Sequence, residues 1–139
     1  MNIDSIKNGI VIDHITAGLG MEIYRLLKLD ELDCSVAIIK NAASQKMGKN
    51  DIIKIDANIE LDMDIIGYVD PGISVSIIKD NRIVEKKNIA LPERLVNVIH
   101  CKNPRCIIST EQEMPHVFKL SDKEKKIYRC IYCEVQGEL

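Results

Sequence analysis

Four of the five cysteines fall into two close pairs. Cys101 and Cys106 have the spacing C-x4-C, Cys130 and Cys133 have the spacing C-x2-C, and 23 residues separate the pairs. Two short turns that each hold two thiolates can converge on one ion, and Zn²⁺ prefers four tetrahedral ligands of this kind. Because four thiolates leave no open coordination position, the pattern predicts one structural zinc ion.

Other interpretations of the cysteines stay open at this point. One alternative is two disulfides, which do not suit a reducing compartment. The other is a thioredoxin-like redox pair at Cys130 and Cys133, but no βαβ unit surrounds these residues. His100 and His116 are alternative ligands, although four thiolates already suffice. Cys34 stands apart, and we assign it no chemistry.

A second group of polar residues lies among apolar strands. It consists of Asp13, His14, Lys54 and Lys86. On one sheet, a carboxylate can accept from a ribose hydroxyl while lysines meet phosphates as point charges. The alternative is that the lysines are solvated strand edges and Asp13 is a carboxylate that faces a turn. The sequence contains none of the common catalytic or nucleotide-cradling motifs.

The apolar pattern predicts the elements that position these residues. Strands are expected at 9–15, 35–40, 51–56, 73–79 and 82–88, with helices from Thr16 as N-cap to about residue 29 and at 61–68, and a loop at 42–49. The order β-α-β-β-α-β-β predicts an α+β fold, a ferredoxin-like sandwich of an antiparallel sheet and two helices. A seam at 91–94 separates this domain, residues 1–92, from a small, mainly β, zinc-binding domain at 93–139.

Composition excludes several classes of function. The 19 basic and 21 acidic side chains give a net charge of −2, which argues against a general nucleic-acid binder. Aromatic residues make up 4%, too few for a base-stacking platform. No apolar run approaches the roughly 18 residues of a membrane span. The first residues lack the apolar core of a signal peptide, so we expect a cytoplasmic protein.

Four motifs occur in a single order along the chain: VIDHI at 11–15, MGKNDIIKI at 47–55, LPER at 91–94, and the two cysteine pairs followed by Glu134. Together they closely resemble the regulatory chain of aspartate carbamoyltransferase, over essentially the whole length. The resemblance implies a non-catalytic allosteric subunit in pyrimidine biosynthesis. It also implies an N-terminal domain that binds the effectors CTP, ATP and UTP, and a zinc domain that docks on the catalytic chain. Regulatory chains of this family commonly pair as homodimers.

The resemblance also assigns roles to individual residues. Asp13 matches a carboxylate near the ribose and triphosphate, His14 a phosphate-side residue, Lys54 a lysine at the base and ribose, and Lys86 a phosphate lysine. Residues expected around the base or ribose, or in the N-terminal segment that helps to read the base, are Ile6, Val11, Ile83, Asp4 and Lys7. Residues expected at the catalytic-chain interface are Asn103, Arg105 and Glu134.

Two functions therefore follow from the sequence. The first is an allosteric regulatory subunit, whose partners are nucleotide effectors and a catalytic chain. It is expected to bind neither nucleic acid nor a membrane. The second is a zinc ribbon that recognises nucleic acid or the transcription machinery through Lys123, Lys125, Lys126 and Arg129. Asp122 and Glu124 interrupt that basic cluster.

Overall fold

The chain folds into two compact units, residues 1–90 and 91–139. The structure is a computed structural model, and it describes residues 6–45, 48–111 and 113–137. The sequence predicted the boundary two residues later, after Pro92. In the described part of the chain, no helix has the length and apolar character needed to span a membrane.

The first unit is an antiparallel sheet with two short helices. Its elements are β1 (Gly9–Thr16), α1 (Gly20–Leu26), β2 (Val36–Ser44), β3 (Gly48–Ile55), α2 (Met63–Val69), β4 (Ser74–Lys79) and β5 (Arg82–Asn88). The strand order is β2-β3-β1-β4-β5, and every neighbouring pair is antiparallel. The α+β fold class predicted from the sequence is confirmed.

Alternation along the strands separates the two faces of this sheet. Ile10 lies opposite Ile55 and Ile12 lies opposite Ile53, and all four are buried. The buried side chains of the helices join the same core through Ile23 and Ile66. Since successive strand residues point to opposite faces, the intervening polar positions lie on the face away from the helices, which we call the open face.

Three local predictions were wrong. The loop expected at 42–49 is largely strand, because β2 continues to Ser44 and β3 begins at Gly48. Thr16 does not cap α1, whose N-cap is Leu19 without a side-chain bond. The helix also ends at Leu26, since Lys28 takes a left-handed φ of 55° before a 3₁₀ turn at Leu29–Glu31.

The second unit is a small sheet with one turn of helix. Its elements are β6 (Arg94–Val96), α3 (Ile107–Thr110), β7 (Val117–Asp122), β8 (Ile127–Cys130) and β9 (Gln136–Gly137), with the order β6-β7-β8-β9. Among its described residues, the buried apolar core consists of six side chains besides the cysteines: Leu95, Ile99, Ile108, Val117, Phe118 and Tyr128. So few apolar side chains cannot stabilise a unit of this size without a further cross-link.

Candidate metal centre and candidate ligand face

The first cysteine pair is held by a turn around Asn103. The Asn103 carbonyl accepts the Cys106 N–H at 3.1 Å, and its side-chain oxygen accepts the Arg105 N–H at 3.1 Å. The Ser109 hydroxyl donates to the Asn103 carbonyl at 2.7 Å. These bonds bend the four-residue segment between Cys101 and Cys106 so that both side chains point the same way.

The second pair sits in a tight turn at the end of β8. The Glu134 N–H donates to the Cys130 carbonyl at 2.9 Å, and the Cys130 N–H donates to the Val135 carbonyl at 3.0 Å. Glu134 takes a left-handed φ of 64°, and its carbonyl accepts from the Arg129 guanidinium at 3.1 Å. The turn brings Cys133 back over Cys130.

The two turns bring four sulfurs together. All lie within 4.8 Å of one another, and the Cys101–Cys133 and Cys106–Cys130 sulfur distances are 3.6 and 3.8 Å. A tetrahedral site with Zn–S bonds of about 2.3 Å places its sulfurs about 3.8 Å apart, whereas a disulfide requires about 2.05 Å. All four cysteines are free thiols here. The cluster therefore fits one structural Zn²⁺ ion.

Burial and hydrogen bonding together set the pKa values of these thiols. Burial raises the pKa of Cys101 to about 12, although a hydrogen bond from the backbone N–H of Asn103 acts in the opposite direction. Burial raises the pKa of Cys106 as well. Burial also acts on Cys133, but hydrogen bonds from the Val135 N–H, the Asn103 side chain and its thiol neighbours lower that pKa to about 7. A divalent cation supplies the charge that makes all four thiolates favourable.

The histidines lie beside the sulfur cluster and not in it. The Cys101 N–H donates to Nδ1 of His116 at 3.0 Å, and the His100 and His116 rings lie 4.8 Å apart. The metal-binding group found among the described residues consists of the four cysteines. His116 thus orients a ligand residue, a role that neighbours of metal ligands commonly have.

A row of side chains crosses the open face of the first unit. Lys54 on β3 lies opposite Val11 on β1, Val11 lies opposite Ser76 on β4, and Ser76 lies opposite Lys86 on β5. Three strand spacings put the backbones of the two lysines roughly 14 Å apart. The structure therefore brings Lys54, Val11 and Lys86 onto one surface, with a cation near each end.

Asp13 and His14 lie further along β1, at a β-bulge. The register shifts between Ile12 and Ile15, and His14 takes a φ of 60°. The Asp13 carboxylate accepts the His14 N–H at 2.6 Å, and Nδ1 of His14 is hydrogen-bonded to the Ser74 hydroxyl at 2.9 Å. Bulges commonly redirect side chains beside functional sites.

The remaining predicted ligand residues are more scattered. Ile83 is 62% exposed on β5 and pairs with Ile78. Ile6 is buried against Gly9, where an added Cβ would lie 2.8 Å from its Cγ2. The Lys7 carbonyl accepts the Asn81 N–H at 3.0 Å, which ties this segment to the β4–β5 turn. Asp4 lies outside the described residues.

Sequence reasoning missed three residues that support this face. Ser74 bonds His14, Ser76 belongs to the row, and Asn50 donates to Asp13 at 2.8 Å. The alternation Ser74-Val75-Ser76 was a usable signal, since Val75 is buried and both serines must face away from it. No sequence signal pairs Asn50 with Asp13. The two residues are distant in the chain, and only the register between β1 and β3 brings them together.

The predicted interface residues all belong to the cysteine turns. Asn103 is half-buried, and Arg105 and Glu134 are exposed. The basic cluster at 123–126 forms the β7–β8 turn, in which Asp122 accepts the backbone N–H groups of Glu124 and Lys125 at 3.1 and 3.2 Å. Asp122 thus organises the turn that bears these lysines.

Comparisons with known proteins match both units. The family model described as aspartate carbamoyltransferase regulatory chain, allosteric domain, matches residues 1–90, and the corresponding metal binding domain matches residues 93–138. Curated relatives named aspartate carbamoyltransferase regulatory chain include one from Clostridium tetani, 53% identical over 136 residues, which covers 96% of this chain and 94% of the relative. Another from Clostridium botulinum strain Hall is 51% identical over 96% of this chain and 92% of the relative. One from Bifidobacterium longum is 40% identical over the full length of both.

Proposed function

Because the chain belongs to the family of aspartate carbamoyltransferase regulatory chains, we propose that its open face binds the nucleotide effectors CTP, ATP and UTP. As a regulatory chain it is the non-catalytic subunit of an enzyme of pyrimidine biosynthesis. The observation that carries the effector proposal is the cross-strand row with Lys54 and Lys86 near its ends.

The chemistry of this face suits a nucleoside triphosphate. Lys86 is exposed at one side of the row and provides a point charge for phosphate. Asp13 would be repelled by phosphate, so its carboxylate suits a hydroxyl donor such as the ribose. Val11 and the exposed Ile83 offer apolar contact to a base or sugar. A single triphosphate needs a few placed lysines, which agrees with the net charge of −2.

We propose that the second unit docks on the catalytic chain through its cysteine turns. Several large apolar side chains on these turns are exposed: Ile107, Ile131, Tyr132 and Val135. Exposed apolar surface beside polar residues is typical of a protein interface. Asn103, Arg105 and Glu134 are the polar residues at this surface.

A basic row on the second sheet supports the same proposal. Arg94 lies opposite Lys119, and Lys119 lies opposite Arg129, at the edge of a hollow of about 430 Å³. Like charges placed opposite one another destabilise a sheet, and no carboxylate among the described residues forms an ion pair with them. An acidic surface on the catalytic chain would offset this cost.

Effector binding changes activity only if the nucleotide binds two states of the assembly with unequal affinity. The first unit would bind the effector, the segment at 91–94 would transmit the change, and the second unit would bias the catalytic chains. Coupling of about 1–3 kcal/mol is the usual scale for such linkage.

We further propose that two regulatory chains pair as a homodimer. We also propose that the complex works in the cytoplasm, where thiols stay reduced.

Calorimetric titration with CTP, ATP and UTP, with and without the catalytic chain, tests this function. Lys86→Ala should weaken triphosphate binding about tenfold through the lost charge-assisted contact. Lys87→Ala is the matched control, because Lys87 pairs with Val75 on the opposite face and contacts Glu85 at 3.7 Å. Salt-sensitive binding of DNA or RNA, without nucleotide binding or association with the catalytic chain, would instead support the zinc-ribbon alternative.

A further inference from the structure

Asn50 is a buried amide on the open face whose side chain holds a carboxylate. It lies on β3, is 3% exposed, and donates from Nδ2 to Oδ1 of Asp13 at 2.8 Å. The same oxygen accepts the backbone N–H of His14 at 2.6 Å. These two hydrogen bonds to the Asp13 carboxylate therefore both fall on Oδ1.

This arrangement fixes the orientation of the Asp13 carboxylate. Asn50 faces Thr16 across β1 and Ala42 across β2, so strand pairing limits where its amide can point. The bulge at Asp13 and His14 supplies the second donor from the backbone. A half-buried carboxylate held by two donors on one oxygen keeps the lone pairs of Oδ2 for a donor from outside the protein.

We propose that Asn50 is a positioning residue that directs Oδ2 of Asp13 at a ribose hydroxyl, so that the site selects ribonucleotides over deoxyribonucleotides. This inference rests on the proposed nucleotide binding and adds the residue that sets the direction of the Asp13 carboxylate. Asn50 itself does not touch the ligand. It acts by removing the rotational freedom that Asp13 would otherwise lose on binding.

The consequence is a selectivity that depends on Asn50. A site built to bond a hydroxyl discriminates against an analogue that lacks it, because its own polar group is then left without a partner. In Asn50→Ala, Asp13 can rotate and find solvent, so the penalty for a missing hydroxyl falls. Affinity for the deoxy analogue changes little, since that ligand never used the bond.

Calorimetry with CTP, 2′-deoxy-CTP and 3′-deoxy-CTP tests the proposal on the full-length chain. We expect the wild type to bind CTP about tenfold more tightly than one of the two deoxy analogues. We expect Asn50→Ala to lose most of this preference through weaker CTP binding. Asp13→Asn should lose the same preference, and the double variant should lose no more than either single variant, because the two residues act as a unit.

Two further variants separate positioning from a general structural effect. Asn88→Ala alters an exposed residue opposite Ser74 on the same face and should keep the ribose preference. Asn50→Leu keeps the approximate shape of the amide without its donor. If Asn50→Ala does not fold, Asn50→Leu should fold and show the same loss of ribose preference.

The outcomes that overturn the inference differ from those that overturn the proposed function. An equal loss of affinity for all three nucleotides in both Asn50 variants would make Asn50 merely structural. Nucleotide binding by the wild type without any ribose preference would overturn the inference and leave the proposed function standing. A wild type that binds no nucleotide would overturn both.

Discussion

At the scale of single residues, Asp51 shows how one buried carboxylate can organise the backbone around it. It is completely buried, and its oxygens accept the backbone N–H groups of Gly18, Gly20 and Asn41, each at 3.0 Å. Burial alone would raise its pKa, but these three bonds and the charge of Lys40 outweigh burial and lower it. Asp51 thus replaces the side-chain cap that the sequence led us to expect from Thr16.

Replacing Asp51 should make the first unit less stable and less sensitive to acid. Asp51→Asn weakens three charge-assisted bonds, so we expect a loss of about 2 kcal/mol in the free energy of unfolding at pH 7. Since the folded pKa lies below the usual value of 3.8, this stability is full above that value and is lost as the pH falls through the folded pKa. Hydrogen exchange of the β1 and β3 amides at pH 7 and at low pH measures both effects.

The matched control is Asp64→Asn, because Asp64 is exposed in the first turn of α2. It should leave both the stability and its acid dependence nearly unchanged. Equal acid sensitivity in Asp51→Asn and the wild type would contradict the assignment of the linkage to Asp51.

The cysteines make a second prediction at this scale. Cys106→Ser removes one of four thiolates from the cluster, so we expect a zinc content of about one ion per chain to fall to near zero after dialysis against a chelator. Cys34→Ser is the control, because Cys34 packs against the core of the first unit. Elemental analysis of both variants checks the assignment, and full zinc retention in Cys106→Ser would contradict it.

At the scale of elements, two of the β-bulges in the first sheet lie opposite β3 and shape the region around Asn50 and Asp51. One lies in β1 at Asp13 and His14, and the other lies in β2 between Ile39 and Ala42, where Asn41 takes a φ of 58°. Each inserts an extra residue opposite β3, and each turns backbone or side-chain groups toward Asn50 and Asp51. The bulges therefore place the polar groups that regular strands would leave apart.

The start of α1 depends on the absence of a side chain at Gly20. A Cβ there would lie 2.9 Å from a carboxylate oxygen of Asp51 and 3.0 Å from its Cβ. Because Asp51 is fixed by its three bonds, we expect Gly20→Ala to destabilise the first unit by about 2 kcal/mol, despite the better helix propensity of alanine. Thermal unfolding followed by circular dichroism measures the change.

Gly72→Ala provides the comparison, since a Cβ at that position meets only ordinary contact with Asp70 at 3.6 Å. We expect its effect to stay within about 0.5 kcal/mol. If the two alanine variants were equally stable, close packing between α1 and Asp51 would not be what requires Gly20.

At the scale of the whole molecule, the two units are stabilised in different ways. The first has an extended apolar core, in which buried isoleucines from β1, β3 and both helices pack with Val75 of β4. The second has a small core around Phe118 and Tyr128 and a four-sulfur cluster. Tyr128 also donates from its hydroxyl to the Pro92 carbonyl at 2.6 Å, which ties the segment before β6 to β8.

Removal of zinc should therefore unfold one unit and spare the other. In the full-length chain treated with a thiol reagent and a chelator, we expect hydrogen-exchange protection to disappear from β7 and β8. Protection should persist in β1, β3 and β4, because metal binding supplies folding free energy only to the second unit. Association with the catalytic chain should fail under the same conditions. Retained protection in β7 and β8, or loss in both units, would contradict this division.

The sequence by itself determined the elements and the metal ligands. Runs of β-branched residues bounded by turn residues located the five strands of the first sheet, and the spacing of the cysteines identified the cluster. Both signals are local and do not require knowledge of the partner strands. The motifs at 11–15, 47–55 and 91–94 indicated the family to which the chain belongs.

Only the tertiary structure decided which groups meet. The bond from Asn50 to Asp13, the three bonds to Asp51, and the row from Lys54 to Lys86 each join residues that are distant in the chain. A shift of one residue in pairing sends every side chain of a strand to the other face, and the bulges at His14 and Asn41 introduce such shifts. The bulge at Asn41 is held by a backbone bond to the buried Asp51, and the bulge at His14 brings Asp13 to Asn50; no local pattern of residue types encodes these contacts.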